Sequence, residues 1–337
     1  MLRNLQALRA FAALSVVFFH FSLVPAAAMP WHFGSFGVDL FFVLSGFIIA
    51  YSADRDSRHF LLHRLFRVLP TYWIVTSLGA AMCLLAMPLG AVAGWYGQSL
   101  LFLTGADGRP PIIFVGWTLV YELAFYLIYS VALATGRKAA PFAAIAILGL
   151  LAFALPFIPI AGAAAVLRPW PLLAEFTYGL LIFLITKPLA VTGWRPKLAG
   201  AGLSLIGLAA LYVFDAKVLG LTGLALDTKR AVLLGLPAAA VVLGLVVIEK
   251  GGWGVKNRIV LAFGAASYAI YLLHPLVFAM VLGLPPGPFE ARMKTFAILT
   301  LATLLVALGF YYLIEAPLLR ALRRLTRDAP PAVGRQE

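Results

Sequence analysis

The amino-acid sequence predicts an all-α, polytopic membrane protein with about ten transmembrane helices and both termini cytoplasmic. Three observations carry that expectation. Of 337 residues, 63% are hydrophobic and 12% charged, where a soluble domain carries about a quarter charged residues. The apolar residues fall in blocks of roughly 20, enough for a helix to cross a hydrocarbon core of about 30 Å. The basic residues, which give a net charge of +13, sit in short connecting segments and not along one amphipathic face. That pattern argues against nucleic acid as a partner and for a positive-inside topology in a lipid bilayer.

The apolar blocks place helices at 5–24, 33–52, 68–89, 112–135, 140–160, 171–187, 197–214, 229–248, 258–283 and 295–317. Assigning the connections alternately to two sides puts 18 basic residues on the side of the N-terminus and 7 on the other, with Arg9 left inside the first helix. The larger share marks the cytoplasm. The weakest segment is 215–230, where Lys217, Lys229 and Arg230 fall on the outer side. Residues 88–111 contain WYGQSLLFL, too short to span and expected to be re-entrant or interfacial on the outer side. Residues 1–318 then form one integral-membrane domain, and 319–337 a basic, loosely ordered cytoplasmic tail. The start of the chain has the look of a secretory signal, but a histidine late in the apolar run and the spans that follow argue against cleavage. Cys83 stands alone, so neither a disulfide framework nor a thiolate metal site is expected, and no metal is called for.

Ionisable side chains in hydrocarbon are costly, so each is a candidate for function. In the first helix Arg9 and His20 are eleven residues apart, three turns, which puts them on one face about 16 Å apart. Ala13 and Val16 lie between them, small enough for a helix or a ligand chain to approach. In the second helix Asp39 stands as far from the outer end as His20 does in the first, where a carboxylate could orient an imidazole. Gly46 shares the Asp39 face and Ser45 flanks it; both suit either a ligand or an ordinary helix contact. Arg64 and Arg67, one turn apart at the mouth of the third helix, suit phosphate groups, although positive-inside bias alone would also produce them. Thr118, Glu122 and Tyr126 form one polar stripe on the fourth helix, with Trp117 and Tyr121 on the neighbouring face. Ser267, Tyr271 and His274 repeat the device on the ninth, where Pro275 frees a carbonyl in the preceding turn. Glu315-Ala316-Pro317 closes the tenth.

Taken in order, Arg9 through His20 (an Arg, ten residues, then a His), FGVDLFFVLSGFII, HRLFRVLP, WTLVYE, SYAIYLLHP and the terminal Glu-x-Pro resemble acyltransferase family 3, the bacterial integral-membrane acyltransferases. The matching pieces cover residues 9 to 317. The resemblance implies an O-acyltransferase of the bacterial inner membrane, moving an acetyl group from cytoplasmic acetyl-CoA to a hydroxyl of a lipopolysaccharide, exopolysaccharide or other exported glycan. It maps Arg9 and His20 as an essential pair, Asp39 and Ser45-Gly46-Phe47 as the second-helix element, Arg64 and Arg67 as the basic pair, and Trp117 with Glu122 as the fourth-helix element. On that basis His20, Asp39 and Glu122 are expected to be catalytic, with Asp39 orienting His20 as general base. Arg9, Arg64, Arg67, Ser45, Gly46 and Phe47 are expected to hold acyl-CoA, its pantetheine arm running beside Ala13 and Gly46. Trp117, Tyr121, Tyr271 and His274 are expected to face the acceptor. Some relatives append a soluble esterase-like domain. This chain has no room for one, which implies that the membrane domain completes the transfer alone or hands the acyl group to a partner protein. Direct transfer and an acyl-enzyme on His20 or Ser45 both stay open. A transporter or flippase is the alternative; it should show paired inverted halves, and residues 1–160 and 171–317 show no obvious similarity.

Overall fold

The computed structural model describes residues 2–103, 109–154, 172–218 and 224–327. Among the described residues there is no strand. The helices in chain order are α1 (Arg3–Ser22), α2 (Gly37–Arg55), α3 (Phe60–Cys83), α4 (Leu89–Leu100), α5 (Trp117–Ala132), α6 (Ala140–Ala154) and α7 (Leu173–Thr186). They continue as α8 (Arg195–Val218), α9 (Leu224–Leu233), α10 (Gly235–Lys250), α11 (Arg258–Ala265), α12 (Ser267–Ala279), α13 (Phe289–Phe310) and α14 (Ala316–Arg327). A π-helical turn, Tyr311–Glu315, joins the last two. Seven helices are long and apolar enough to cross a membrane, or up to eight if α11 and α12 count as one bent span; α6 and α7 are shorter apolar helices.

Three expectations need revision, and the short segment before residue 111 is as short as expected. The third helix begins at Phe60, so Arg64 and Arg67 lie in its second and third turns and Pro70 is internal; a proline removes only its own N–H, and the two preceding turns form without it. The ninth predicted helix is two helices bent by 68°. Its first half lies so close to α1 that a Cβ on Gly264 would meet the Gln6 carbonyl at 2.0 Å, and Gln6 Nε2 donates to the Leu261 carbonyl at 2.6 Å. Residues 89–100 form a helix of 12 residues, about 18 Å long and too short to span. It is tied to α3 by Tyr72 Oη donating to the Ser99 carbonyl (2.7 Å) and Trp73 Nε1 to that of Leu100 (3.1 Å). The tail expected to be loose is helical as far as Arg327. Its remaining residues, 328–337, and the expected helical residues 155–160 lie outside the described residues.

Helix α1 is central, packed by α2, α10, α11, α12 and α13. Its N-terminal N–H groups have no local cap; Glu249 of α10 accepts from those of Arg3 and Asn4 instead. A carboxylate there also complements the positive end of the helix dipole. The most buried span is α2, which packs one face on α7 at backbone contact. A Cβ on Gly46 would lie 2.2 Å from the Phe176 carbonyl oxygen, and one on Gly179 would lie 2.2 Å from that of Val43. Only paired glycines allow that approach.

Candidate active site

The opposite face of α2 lines a pocket. Val38, Phe41, Phe42, Ser45, Ile48 and Ile49 recur at helical spacing along it, over about 16 Å of helix. Counted out to its open mouth, the space is ≈ 790 Å³. Arg9, Arg64 and Arg67 converge on it from α1 and α3, Thr118, Glu122 and Tyr126 from α5, and Ser267, Tyr268 and Tyr271 from α12. Residues separated by as many as 262 positions meet here because every one sits on the pocket-facing stripe of its own helix.

The polar groups in the pocket are partly paired. Glu122 Oε1 accepts from Ser45 Oγ at 3.2 Å and from the Tyr126 hydroxyl. The Arg64 guanidinium donates to Ser52 Oγ, while its buried Nε has no partner among the described residues. Arg9 lies within electrostatic reach of Arg67, Glu122 and Glu315. Both carboxylate oxygens of Glu315 are buried without a hydrogen bond among the described residues. Three guanidiniums therefore line the pocket with one carboxyl, Glu122, while Glu315 lies near Arg9 outside that lining, and some of their bonding capacity is unfilled. Buried polar atoms left this way are uncommon in native structures and fit a site completed by a polar ligand.

His20 lies outside this pocket. Its Nδ1 is 3.0 Å from Nε2 of His274, and the rings are stacked with centroids 5.0 Å apart. His274 is fully buried. The pair connects to the pocket through Tyr271, one turn before His274 on α12. The Tyr271 ring stands 6.0 Å from that of His274, while its hydroxyl donates to the Val115 carbonyl (3.0 Å) and sits 2.8 Å from Thr118 Oγ1.

Several predicted contacts are not made. Asp39 does not reach His20; its carboxylate takes a bidentate pair from Arg230, Nε to Oδ1 at 2.9 Å and Nη2 to Oδ2 at 2.6 Å. The cause is the α1–α2 connection. It folds back so that Gly34 lies on the Ser15 carbonyl and Gly37 on that of Ala12, five and eight residues before His20. Helix α2 thus begins well below the imidazole, and Asp39 lower still. The same fold-back fills the α1 face between Arg9 and His20: Ala13 and Val16 are fully buried, Val16 against Gly37, so no ligand groove runs there. Gly46 is used by the α7 contact, and Phe47 packs on Tyr51 and Phe183 behind the pocket. Trp117 and Tyr121 are edge to face at 5.9 Å, with Tyr121 against Phe42; neither lines the cavity. His274, expected on the acceptor side, is the partner of His20.

The pattern missed Arg230, and with it a second ionic cluster. Asp215 accepts from the N–H groups of Gly34 (2.6 Å) and Ser35 (3.3 Å) and from the Ser35 hydroxyl, and Arg230 Nη2 donates to the Ser35 carbonyl at 2.8 Å. Glu175 lies against Asp39 and is fully buried. A signal for this was present. Arg230 is one of the basic residues on the side where the charge rule expects few, and a buried carboxylate partner accounts for it.

A large cavity inside a bundle of apolar helices, with an arginine cluster at one end and an imidazole pair beyond the other, has the layout of a membrane-embedded active site. Comparison with known proteins agrees: residues 2–314 match the acyltransferase domain family, so the chain belongs to acyltransferase family 3 and is a multi-pass membrane acyltransferase. It is 29% identical over 331 residues to "Exopolysaccharide production protein ExoZ" of Rhizobium meliloti (strain 1021), covering 87% of this chain and 92% of that one. It is 28% identical over 385 aligned positions to "Acyltransferase MdmB" of Streptomyces mycarofaciens, covering 98% and 95%. No solved structure matches the chain.

Proposed function

We propose that this acyltransferase moves an acetyl group from cytoplasmic acetyl-CoA to a hydroxyl of an exported or cell-surface glycan. In this reading it sits in a bacterial inner membrane with about ten spans and both termini inside. The observation that carries the reading is the continuity of the pocket. It begins at Arg9, Arg64 and Arg67 and ends at Tyr271, whose other side faces His274 and His20.

The chemistry follows from what each group can do. Arginines bind phosphate oxygens through fixed donor forks, so the charged head of acyl-CoA lies at their end. The apolar stripe of α2 takes the pantetheine arm and directs the thioester toward Tyr271. The Tyr271 ring, 6.0 Å from the rings of both Phe41 and His274, stands between that arm and the His20–His274 pair and must turn aside for the thioester to reach it. His20 then takes the proton of the acceptor hydroxyl, a task that suits an imidazole near neutral pH. The hydroxyl oxygen bonds to the acyl carbon, the C–S bond breaks, and the proton passes to the departing thiolate. Glu122, held by Ser45 and Tyr126, faces the arginines, and its role here is to fix their spacing. The glycan acceptor is supported by the exopolysaccharide relative.

The test is acceptor-dependent release of free CoA from purified protein in liposomes supplied with acetyl-CoA. Release above a His20→Ala control is expected. Equal release from both proteins would overturn the assignment of His20.

A further inference from the structure

A general base needs its second nitrogen held, and the carboxylate that the sequence pattern offers for this is bound to Arg230. We propose that His274 is the positioning residue of His20: it holds the proton of His20 on Nδ1, leaving Nε2 as the bare nitrogen that accepts the hydroxyl proton. This deepens the acyltransferase reading of the same site and rests on it.

Pro275 sets the tautomer. It has no N–H, so the Tyr271 carbonyl, four residues earlier, has no helical donor. His274 Nδ1 falls short of a full hydrogen bond and faces the carbonyls of Ile270 and Tyr271. A carbonyl only accepts, so the proton of the neutral ring belongs on that Nδ1, and Nε2 of His274 is an acceptor. It is this Nε2 that lies 3.0 Å from His20 Nδ1, which therefore donates. The Val16 carbonyl, one turn before His20, also faces its ring, and Nδ1 is the ring nitrogen nearer the backbone. The rings packed around the pair are those of Phe19, Phe21, Phe114 and Tyr271, so among the described residues the titratable groups facing His20 and His274 are each other and the Tyr271 phenol.

During transfer the acceptor proton moves to His20 Nε2, and the imidazolium that forms donates its Nδ1–H to a neutral Nε2 of His274. When the C–S bond has broken, the thiolate removes the proton from His20 Nε2 and both rings return to their starting state. A neutral partner suits this place. A carboxylate buried among these rings would carry its own desolvation cost before any substrate arrived.

His274→Leu, His274→Gln and His274→Asn, each in the full chain in liposomes with acetyl-CoA and acceptor, test the proposal. Leucine removes the acceptor atom and should lower kcat by about 10²–10³-fold, with both KM values within about threefold. Glutamine can set its amide oxygen near the position of Nε2 and should recover at least about tenfold of that loss. It should also shift the acidic limb of the kcat/KM pH profile, because a different acceptor now holds His20. Asparagine carries the same amide one methylene short and should not recover, which keeps the test decisive if the leucine variant fails to assemble. A glutamine variant no better than asparagine would overturn the proposal. So would an effect confined to the acceptor KM, which would make His274 a substrate contact. Absence of any transfer by the unaltered protein would overturn the acetyl-CoA reading itself, a separate result.

Discussion

The two faces of α2 both carry charge into the middle of the bundle, and they use it differently. On one face Asp39 is fully buried and locked to Arg230, and seven residues later Gly46 is pressed onto α7. Around it three carboxyls (Asp39, Glu175, Asp215) and one guanidinium are closed off among α2, α7, α8, α9 and the segment that precedes α2. On the other face Ser45 opens into a cavity lined by three guanidiniums and one carboxyl, Glu122, where the buried Nε of Arg64 is left without a partner among the described residues. Intramembrane charge alone therefore does not mark a site in this protein. What separates the faces is space: the first is closed by packing although both Glu175 oxygens lack a hydrogen bond there, while the second opens into a cavity with room for a ligand.

That contrast predicts opposite outcomes for superficially similar changes. The largest effect belongs to the group that the open face leads to. His20→Ala should lower acyl transfer by at least about 10³-fold while the protein keeps its thermal unfolding midpoint and membrane abundance. A variant that loses activity only in proportion to its abundance would make His20 structural. On the closed face, Arg230→Ala leaves the Asp39 carboxylate buried without its partner, which costs about 3–5 kcal/mol. It should appear first as a fall in unfolding midpoint and in the amount of inserted protein. Arg230→Ala combined with Asp39→Asn should restore part of that loss. If the single variant is fully stable yet inactive, the closed face is part of the chemistry and the contrast fails. On the open face, Arg67→Ala removes charge-assisted hydrogen bonds to an anion, about 1.5–3 kcal/mol. The KM for acetyl-CoA should rise about 10–150-fold, with kcat and stability nearly unchanged.

How much of this was legible in the sequence follows the same division. Periodicity located the buried polar stripes because each lies within a single helix: Thr118, Glu122 and Tyr126 do share a face, as do Tyr271 and His274. The convergence of Arg9, Arg64 and Arg67 was legible as well, since the charge rule put all three at one end of the bundle. What periodicity does not carry is the relative depth of two helices. His20 and Asp39 look level when counted from the ends of their apolar blocks, but the chain between them folds back at Gly34 and Gly37, and α2 starts lower. Nor does it say which neighbour a glycine admits. Gly46 has the same pattern whether backbone or ligand approaches, and Gly179, more than a hundred residues on, decides it. The His20–His274 pair needed both kinds of information, the stripe on α12 and the depth at which α12 crosses α1.

The smallest effect is the most pointed test of where the site ends. Trp117 belongs to a segment that matches the family pattern, which by itself would make it a contact to substrate. Its indole packs on the edge of Tyr121, and Tyr121 in turn packs on Phe42, so that Trp117 supports the pocket wall from behind. Phenylalanine preserves an aromatic ring at that position and gives up only the indole N–H and part of the contact area, an aromatic pair being worth about 0.5–1.5 kcal/mol in all. Trp117→Phe should therefore change either KM by less than about threefold, within that range. A tenfold rise in the KM for acceptor alone would mean that the glycan reaches this side of α5. The acceptor would then approach from behind the wall that α2 and α5 form, and His20 would have to be reached by a route other than the stripe that ends at Tyr271.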